Sequence, residues 1–394
     1  MQYPFTDEQL ALADMVGDFM EREVAPVAPE IDRSPDPKDC YPAELINKAS
    51  KLGIRTMAVP EEWGGAGADT MTKALCLWRG GQTEIGVIKC LSQCWKISTA
   101  IAKRGTEAQK EKWLKMFVED HDCVGSFCMT EPDYGSDNIY RQPGPHLGLK
   151  TSAVQDGDYW VINGAKRFTS LTSWAKILLL FARTDPTVDL QQGTTCFLIH
   201  GEQEGVSYGR VHDKMGYRLY PNAESFYDNV RVHKDDILGE VNKGYHVQST
   251  VFRGSAELAA CNTGIARGIF EFCNQHVKER IQGGVPIIEH PTVKHMMAEM
   301  LMNIEVAEQF MWRICWGVEN DETYNTRFTR YGKVFSDQMA LKTIALATDI
   351  LGGIGIMRDN PVEKRIRDLL TFLHGDGTGS LTLLRAAQTL DEPV

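Results

Sequence analysis

The stretch HGDGTGSLTLLR, His374 to Arg385, sets a single acid, Asp376, between Gly375 and Gly377 and ahead of leucines at helical spacing. Glycines on both sides lift the steric limits on the backbone, so a carboxylate here can be presented to a ligand. The plainer role for Asp376 is to face the dipole of the helix that follows, with Thr378 or Ser380 as its cap. A second stretch, FCMTEPDYGSDN from Phe127 to Asn138, is too polar and too rich in turn residues for a strand. It offers the Thr130 and Ser136 hydroxyls and backbone N–H groups to a ligand, or is an ordinary polar turn. A third, LGGIGI from Leu351 to Ile356, would let backbone approach a pyrophosphate closely. It does not follow a strand, which disfavours a dinucleotide fingerprint of the parallel-sheet kind.

These stretches need elements to hold them. Near the N-terminus, Thr6 and Gln9 form a capping-box pattern ahead of Leu10, Leu12, Met15, Val16, Phe19 and Met20, which predicts a long amphipathic helix. Helical spacing continues through Phe117, broken by the PEEWGGAGAD turn at Pro60 to Asp69. From about Cys123 the period shortens to two in YWVING, ILLLFAR, TTCFLIH and ESFYDNVRV, and Asn163-Gly164 reads as a two-residue hairpin turn. From Lys243 helical spacing returns, and Met297, Met300, Ile304, Met311 and Ile314 predict a core face on one long helix. The expected class is α+β, with a helical unit over residues 1–121, a β unit over 122–234 and a helical unit over 235–394. Ligands favour the clefts between such units.

With 43% hydrophobic residues over 394 positions, the chain can bury substantial cores. Its net charge of −11 has no long run of one sign, which argues against nucleic acid or an anionic membrane surface as a partner. No apolar run approaches the roughly 20 residues that cross a bilayer. Ten cysteines without CxxC spacing fit a reducing, cytoplasmic setting, and no metal site is expected.

Taken in order, the segments resemble the acyl-CoA dehydrogenase family over essentially the whole chain. The resemblance is carried by MTEPDYGSD (Met129 to Asp137), DGDYWVINGAKRFTS (Asp156 to Ser170), FAR (Phe181 to Arg183), KMGYR (Lys214 to Arg218), the AEM ending at Met300, LGGIGI, PVEKRIRD (Pro361 to Asp368) and GDGT (Gly375 to Thr378). It implies an N-terminal helical domain, a central β-barrel or sandwich domain and a C-terminal four-helix bundle, with FAD between the last two. It also implies that Asp376 stands where the family's glutamate base removes the proton α to a thioester, while hydride leaves the β carbon for the flavin. A thioester α proton is too weakly acidic for a carboxylate in water, so such a site must dry the base and stabilise the enolate-like oxygen.

Carried over residue by residue, the resemblance puts Phe127, Met129, Thr130, Gly135 and Ser136 along the flavin ring, with Phe168, Thr169 and Ser170 packing beside it. Arg280 and Gln282 would reach the cofactor of a neighbouring subunit, Leu351, Gly352 and Gly353 its adenosine half, and Thr378 and Ser380 would touch it after the base. Ser136, Arg253, Ser255 and Gly377 would contact substrate. The family's shared site implies a homo-oligomer, a tetramer, and an electron-transferring flavoprotein as acceptor for the acyl-CoA electrons.

Several positions depart from the family. The base is aspartate rather than glutamate, and Ser255 replaces an arginine, with Arg253 two residues earlier. Gly254 occupies an alternative base position, which leaves Asp376 first and Glu257 second. Gln282, Gly283 and Pro291 thin the adenine contacts. NIYRQPGPHLGL is about eight residues longer than the family's connection, a surface loop or a lid carrying Tyr140, Arg141 and His146. Arg79, Glu84, Lys89 and Gln93 make the helix that would line the acyl cavity polar, which points to a polar, branched or cyclic acyl group. The competing enzyme is a nitroalkane-oxidase-like flavoenzyme with an aspartate base and no CoA; its arginine seven residues after the base is absent, since that position is Leu383 and the nearest candidate is Arg385. A flavin-poor binding protein is the reading outside catalysis.

Overall fold

The computed structural model describes residues 5–138, 144–145, 147–252 and 256–391. Six helices come first: α1 (Asp7–Phe19), α2 (Ala28–Asp32), α3 (Ala43–Lys51), α4 (Thr70–Gly81), α5 (Ile85–Arg104) and α6 (Glu107–Glu119). The Thr6–Gln9 capping box forms, with Gln9 N–H donating to the Thr6 hydroxyl at 3.2 Å and the Gln9 side chain accepting from Thr6 N–H at 3.1 Å. Helix α5 is the axis of this part: fifteen of its 20 residues are buried. Its position is fixed at both ends, by the Glu84 carboxylate capping Gly86 N–H at 2.8 Å and by Ile97 packed so closely on Gly125 that a Cβ there would lie 2.7 Å away.

Seven strands follow: β1 (Gly125–Cys128), β2 (Ser152–Asp156), β3 (Tyr159–Ser170), β4 (Ile177–Arg183), β5 (Thr194–His200), β6 (Val206–Val211) and β7 (Asn222–His233). They form one sheet in the order β1-β4-β2-β3-β7-β6, with β5 paired to β4. Strand β1 takes the first two residues of the stretch expected to be loop, because Gly125 to Cys128 pair in parallel with Ile177 to Leu180. The Asn163-Gly164 hairpin is corrected. The turn lies at Gly157 and Asp158, between β2 and β3, and Asn163-Gly164 sits inside β3 at a register shift against β7. Gly164 is required there: its φ is 152°, and a Cβ would stand 2.6 Å from Thr151 Cα. An Asn-Gly pair serves a bulge as well as a turn.

The chain then returns to helix in α7 (Gly244–Phe252) and α8 (Glu257–Glu279), makes a short hairpin of β8 (Ile281–Gln282) and β9 (Val285–Pro286), and ends in α9 (Pro291–Asn320), α10 (Arg327–Leu351), α11 (Pro361–Phe372) and α12 (Gly379–Ala387). Met297, Met300, Ile304, Met311 and Ile314 are all buried, as their spacing predicts. Among the described residues, one span, Arg327–Ile356, is long and apolar enough to cross a membrane by length and composition. Here it packs against α8, α9 and α12. Much of its apolar character is outward-facing, alongside exposed Met302, Val306 and Trp316 on α9.

Candidate active site

Helix α11 stops at Phe372, and the chain reverses through Gly375, whose N–H returns to the Phe372 carbonyl at 2.9 Å. Asp376 follows with φ 52° and Gly377 with φ 103°. A left-handed aspartate is uncommon and marks a segment that its surroundings hold in place. Thr378, not Ser380, caps α12, and its hydroxyl accepts from Leu381 N–H at 3.4 Å. Asp376 stands two residues ahead of this cap. What holds the turn is Lys333 on α10: its ammonium donates to the Leu373 and Gly377 carbonyls at 2.9 and 3.0 Å and pairs with Asp337 at 2.6 Å. Asp337 also accepts from the Asn262 amide at 3.0 Å, and burial holds its carboxyl above the ordinary carboxylate range. The Asp376 side chain is exposed in the single chain, so the drying expected of the base is not supplied by this chain's core.

Beneath the turn is a buried polar cluster. Lys89 feels the charge of Asp376 and lies 5.4 Å from the centre of the Phe372 ring. Its ammonium pairs with Glu257, which also holds Lys96 at 2.5 Å and the Ser92 hydroxyl. Burial would raise the Glu257 carboxyl, but the two ammonium groups override it and hold it well below the usual range. Burial would likewise lower Lys89, and Glu257 reverses that. A carboxylate so satisfied is a poor proton acceptor, which ranks Glu257 behind Asp376 as base. Tyr220 closes the cluster, its hydroxyl 3.0 Å from Gln93 Oε1. Of the four polar residues expected along the slot, Lys89 and Gln93 reach this cluster. Arg79 pairs instead with Glu21 at 2.9 Å, and Glu84 with Lys364 at 2.7 Å, away from it.

The β domain contributes an aromatic face. Strand β3 slips register against β7 between Lys166 and Thr169, and this turns Phe168 outward at φ 55° and 55% exposure. Its ring lies 4.6 Å from that of His212. Asn222 fixes the segment by donating to the Phe168 carbonyl at 2.9 Å and the Ser170 hydroxyl at 2.8 Å, and Lys214 in turn donates to the Asn222 amide oxygen at 2.6 Å. Thr169 is buried. Phe127 packs on Phe181 at 4.7 Å, and Met129 and Thr130 are tied to β3 by Lys166, which reaches the Met129 carbonyl, and by Arg167 N–H on the Thr130 carbonyl at 2.8 Å. Lys166 also pairs with buried Glu131 at 2.8 Å, locking the start of the loop that continues through exposed Gly135 and Ser136. Among the described residues, His212 Nε2 and Ser173 Oγ are buried without a hydrogen-bond partner. An outward aromatic ring beside unpaired buried polar atoms fits a planar, hydrogen-bonding group such as a flavin. The segment between Lys214 and Asn222 also packs on the approach to the acid turn: the Tyr217 ring stacks on Phe372 at 4.6 Å, and its N–H donates to Asp368 on α11 at 2.6 Å.

The remaining candidates lie elsewhere. Arg280 and Gln282 are exposed at the far end of α8, whose 23 residues span about 34 Å from Glu257. They cannot serve the same end of a ligand as Asp376 within one chain. Gly352 and Gly353 are exposed beyond buried Leu351, and Gly352 (φ 56°, ψ −135°) adopts a backbone closed to other residues. Arg253, Gly254 and Ser255 lie outside the described residues, as do Tyr140, Arg141 and His146. Sequence reasoning missed Lys333, Asn222, Lys214 and Lys96. The buried lysines carried a signal in principle, since a lysine inside a helix's apolar stripe demands a partner.

Comparison with known proteins agrees with this geometry. Residues 6–120, 126–230 and 242–390 match, in turn, the N-terminal, middle and C-terminal domains of acyl-CoA dehydrogenase. The chain is 31% identical over 391 residues to a cyclohex-1-ene-1-carbonyl-CoA dehydrogenase of Syntrophus aciditrophicus, covering 98% of this chain and 90% of the relative. It is 29% identical over 388 residues to a 3-(aryl)acrylate reductase of Clostridium sporogenes, covering 98% and 99%. The solved butyryl-CoA dehydrogenase of Megasphaera elsdenii superposes with a TM-score of 0.90 at 28% identity, covering 99% of this chain and all of that one. Fold, turn and aromatic face together with these matches establish that the chain belongs to the acyl-CoA dehydrogenase family, oxidoreductases acting on the CH–CH bond of acyl-CoA.

Proposed function

We propose that this chain oxidises the Cα–Cβ bond of a polar, branched or cyclic acyl-CoA, with Asp376 removing the α proton. The observation that carries the reading is the placement of Asp376 at the left-handed apex of a turn clamped by Lys333, with Tyr217, from the segment that also carries Lys214, stacked on Phe372 just ahead of it. Phe127 to Ser136 and Phe168 to Ser170 would hold FAD, whose flavin supplies the hydride acceptor. The chain's own residues orient the substrate and move the proton. Asn222 and Lys214 keep Phe168 turned outward, Lys333 fixes the height of the carboxylate, and Gly377 leaves room beside it.

Aspartate is shorter than glutamate by one C–C bond, roughly 1.5 Å, so the reacting carbon must sit deeper in the turn. A ring or branch at Cα or Cβ would do this, and the matched cyclohexene-carbonyl-CoA enzyme supports the assignment. The exposed apolar residues of α9 and α10 and the remote Arg280 support a homo-oligomer, a tetramer, in which one subunit completes another's cofactor site. An electron-transferring flavoprotein would take the electrons. Ten free, buried cysteines suit a cytoplasmic setting.

Anaerobic mixing with a panel of CoA thioesters and nitroalkanes, followed by flavin absorbance, tests the reading. Bleaching by a thioester supports it; bleaching by nitroalkanes alone would replace it with the oxidase chemistry.

A further inference from the structure

A cavity of about 120 Å³ opens behind the Lys89–Glu257 pair, between α4, α5, α7, α8 and the end of α9. Its walls carry Lys73 from α4, Lys96 and Lys103 from α5, and one acid, Glu257. Glu257 is already committed to Lys89 and Lys96. Asp69 and Glu319 attract the Lys73 charge without pairing with it: Asp69 caps α4 by accepting from Thr72 N–H at 2.6 Å, and Glu319 accepts from Thr70 N–H. No ion pair or hydrogen bond engages the Lys73 ammonium among the described residues, and burial pulls it below its ordinary range. A desolvated cation whose acids stay beyond ion-pair distance gains from a ligand that brings a negative charge into contact.

The cavity lies on the far side of the Lys89–Glu257 cluster from the acid turn. From the Phe372 ring, just ahead of the acid turn, the side chains run to Lys89 at 5.4 Å, then Glu257, then Lys96 and the cavity wall. An acyl group whose Cα lies at Asp376 and whose far end passes this cluster arrives among ammonium groups, not methyls. The volume holds about four water-sized atoms, enough for a carboxylate and one or two carbons.

We propose that the acyl group bears a second negative charge, a carboxylate distal to the thioester, and that Lys73 and Lys96 receive it. This rests on the acyl-CoA reading above and names its substrate class: a dicarboxylic, singly thioesterified acid. Lys73 is then a specificity-determining residue.

The test pairs CoA thioesters of equal length that end in methyl, in carboxylate or in ammonium, mixed anaerobically with the flavin-loaded enzyme while flavin absorbance is followed. The carboxylate member is expected to have a second-order rate constant at least about tenfold above the methyl member, the scale of one charge-assisted hydrogen bond. Lys73→Gln should remove that preference without changing the rate with the methyl member, and Lys73→Glu should favour the ammonium member. Equal wild-type rates for methyl and carboxylate members would overturn the inference and leave the dehydrogenase reading intact. So would a Lys73→Gln enzyme that slows with all members alike, since the lysine would then serve CoA. No bleaching by any member would overturn both.

Discussion

The Lys333 ammonium lies 3.0 Å from the carbonyl oxygen of Gly377, the residue that follows Asp376. It reaches across 44 positions of sequence to hold the backbone on one side of the proposed base, and takes the Leu373 carbonyl on the other. Misplacement of a reacting group by about 1 Å costs on the order of a hundredfold in rate. As the proposed base, an aspartate, one bond shorter than a glutamate, has little slack to lose.

Lys333→Met should therefore lower flavin reduction by about a hundredfold and destabilise the fold by about 3 kcal/mol, because Asp337 is left buried without its cation. Urea unfolding and anaerobic stopped-flow check the two effects separately. Lys333→Met, Asp337→Leu should recover most of the stability but not the rate, since the turn carbonyls stay unheld.

The Asn222 amide supports the Phe168–Ser170 segment from behind. Asn222→Ala frees a backbone held at φ 55° at Phe168 and 60° at Leu171, and is expected to weaken FAD binding by about tenfold, the scale of one or two hydrogen bonds. Titration of the apoprotein with FAD measures it. Unchanged affinity would remove Phe168 from the cofactor site.

Burial pushes the Lys214 ammonium down from 10.5 to about 7. Between those values the unfolded chain binds more protons than the folded one, so this group makes stability rise with pH across that window and contributes no slope below it. The difference in melting temperature between wild type and Lys214→Met should shift in favour of wild type from pH 7 to 9. A flat difference would show that Lys214 keeps its ordinary affinity for protons.

Asp376→Glu extends the carboxylate by one bond, roughly 1.5 Å. It is expected to reorder the reactive acyl groups, raising straight-chain members relative to cyclic or branched ones. The ranking of flavin-reduction rates across the thioester panel decides it, and an unchanged ranking would show that acid length has no bearing on specificity.

The helical parts were legible because local signals and burial agree: Thr6 and Gln9 cap α1, and the methionine stripe of α9 is core. The aromatic face was placed only through resemblance, since Phe168 is exposed by a bulge that no local pattern in β3 announces. Asn163-Gly164 misled because its local chemistry suits both a turn and a bulge, and Thr151 across the sheet decides between them. The clamp on the acid turn and the Lys89–Glu257–Lys96 cluster were hidden for another reason. They join residues 44 and 168 positions apart, a separation over which spacing carries no information.

Asp376→Asn tests the central claim most directly. The measurement is the rate of flavin absorbance loss on anaerobic mixing with the best thioester, at wild-type flavin content. Removing the general base is expected to lower that rate at least about a thousandfold while FAD stays bound. Bleaching by the asparagine enzyme at the wild-type rate would contradict the assignment of the proton transfer to Asp376.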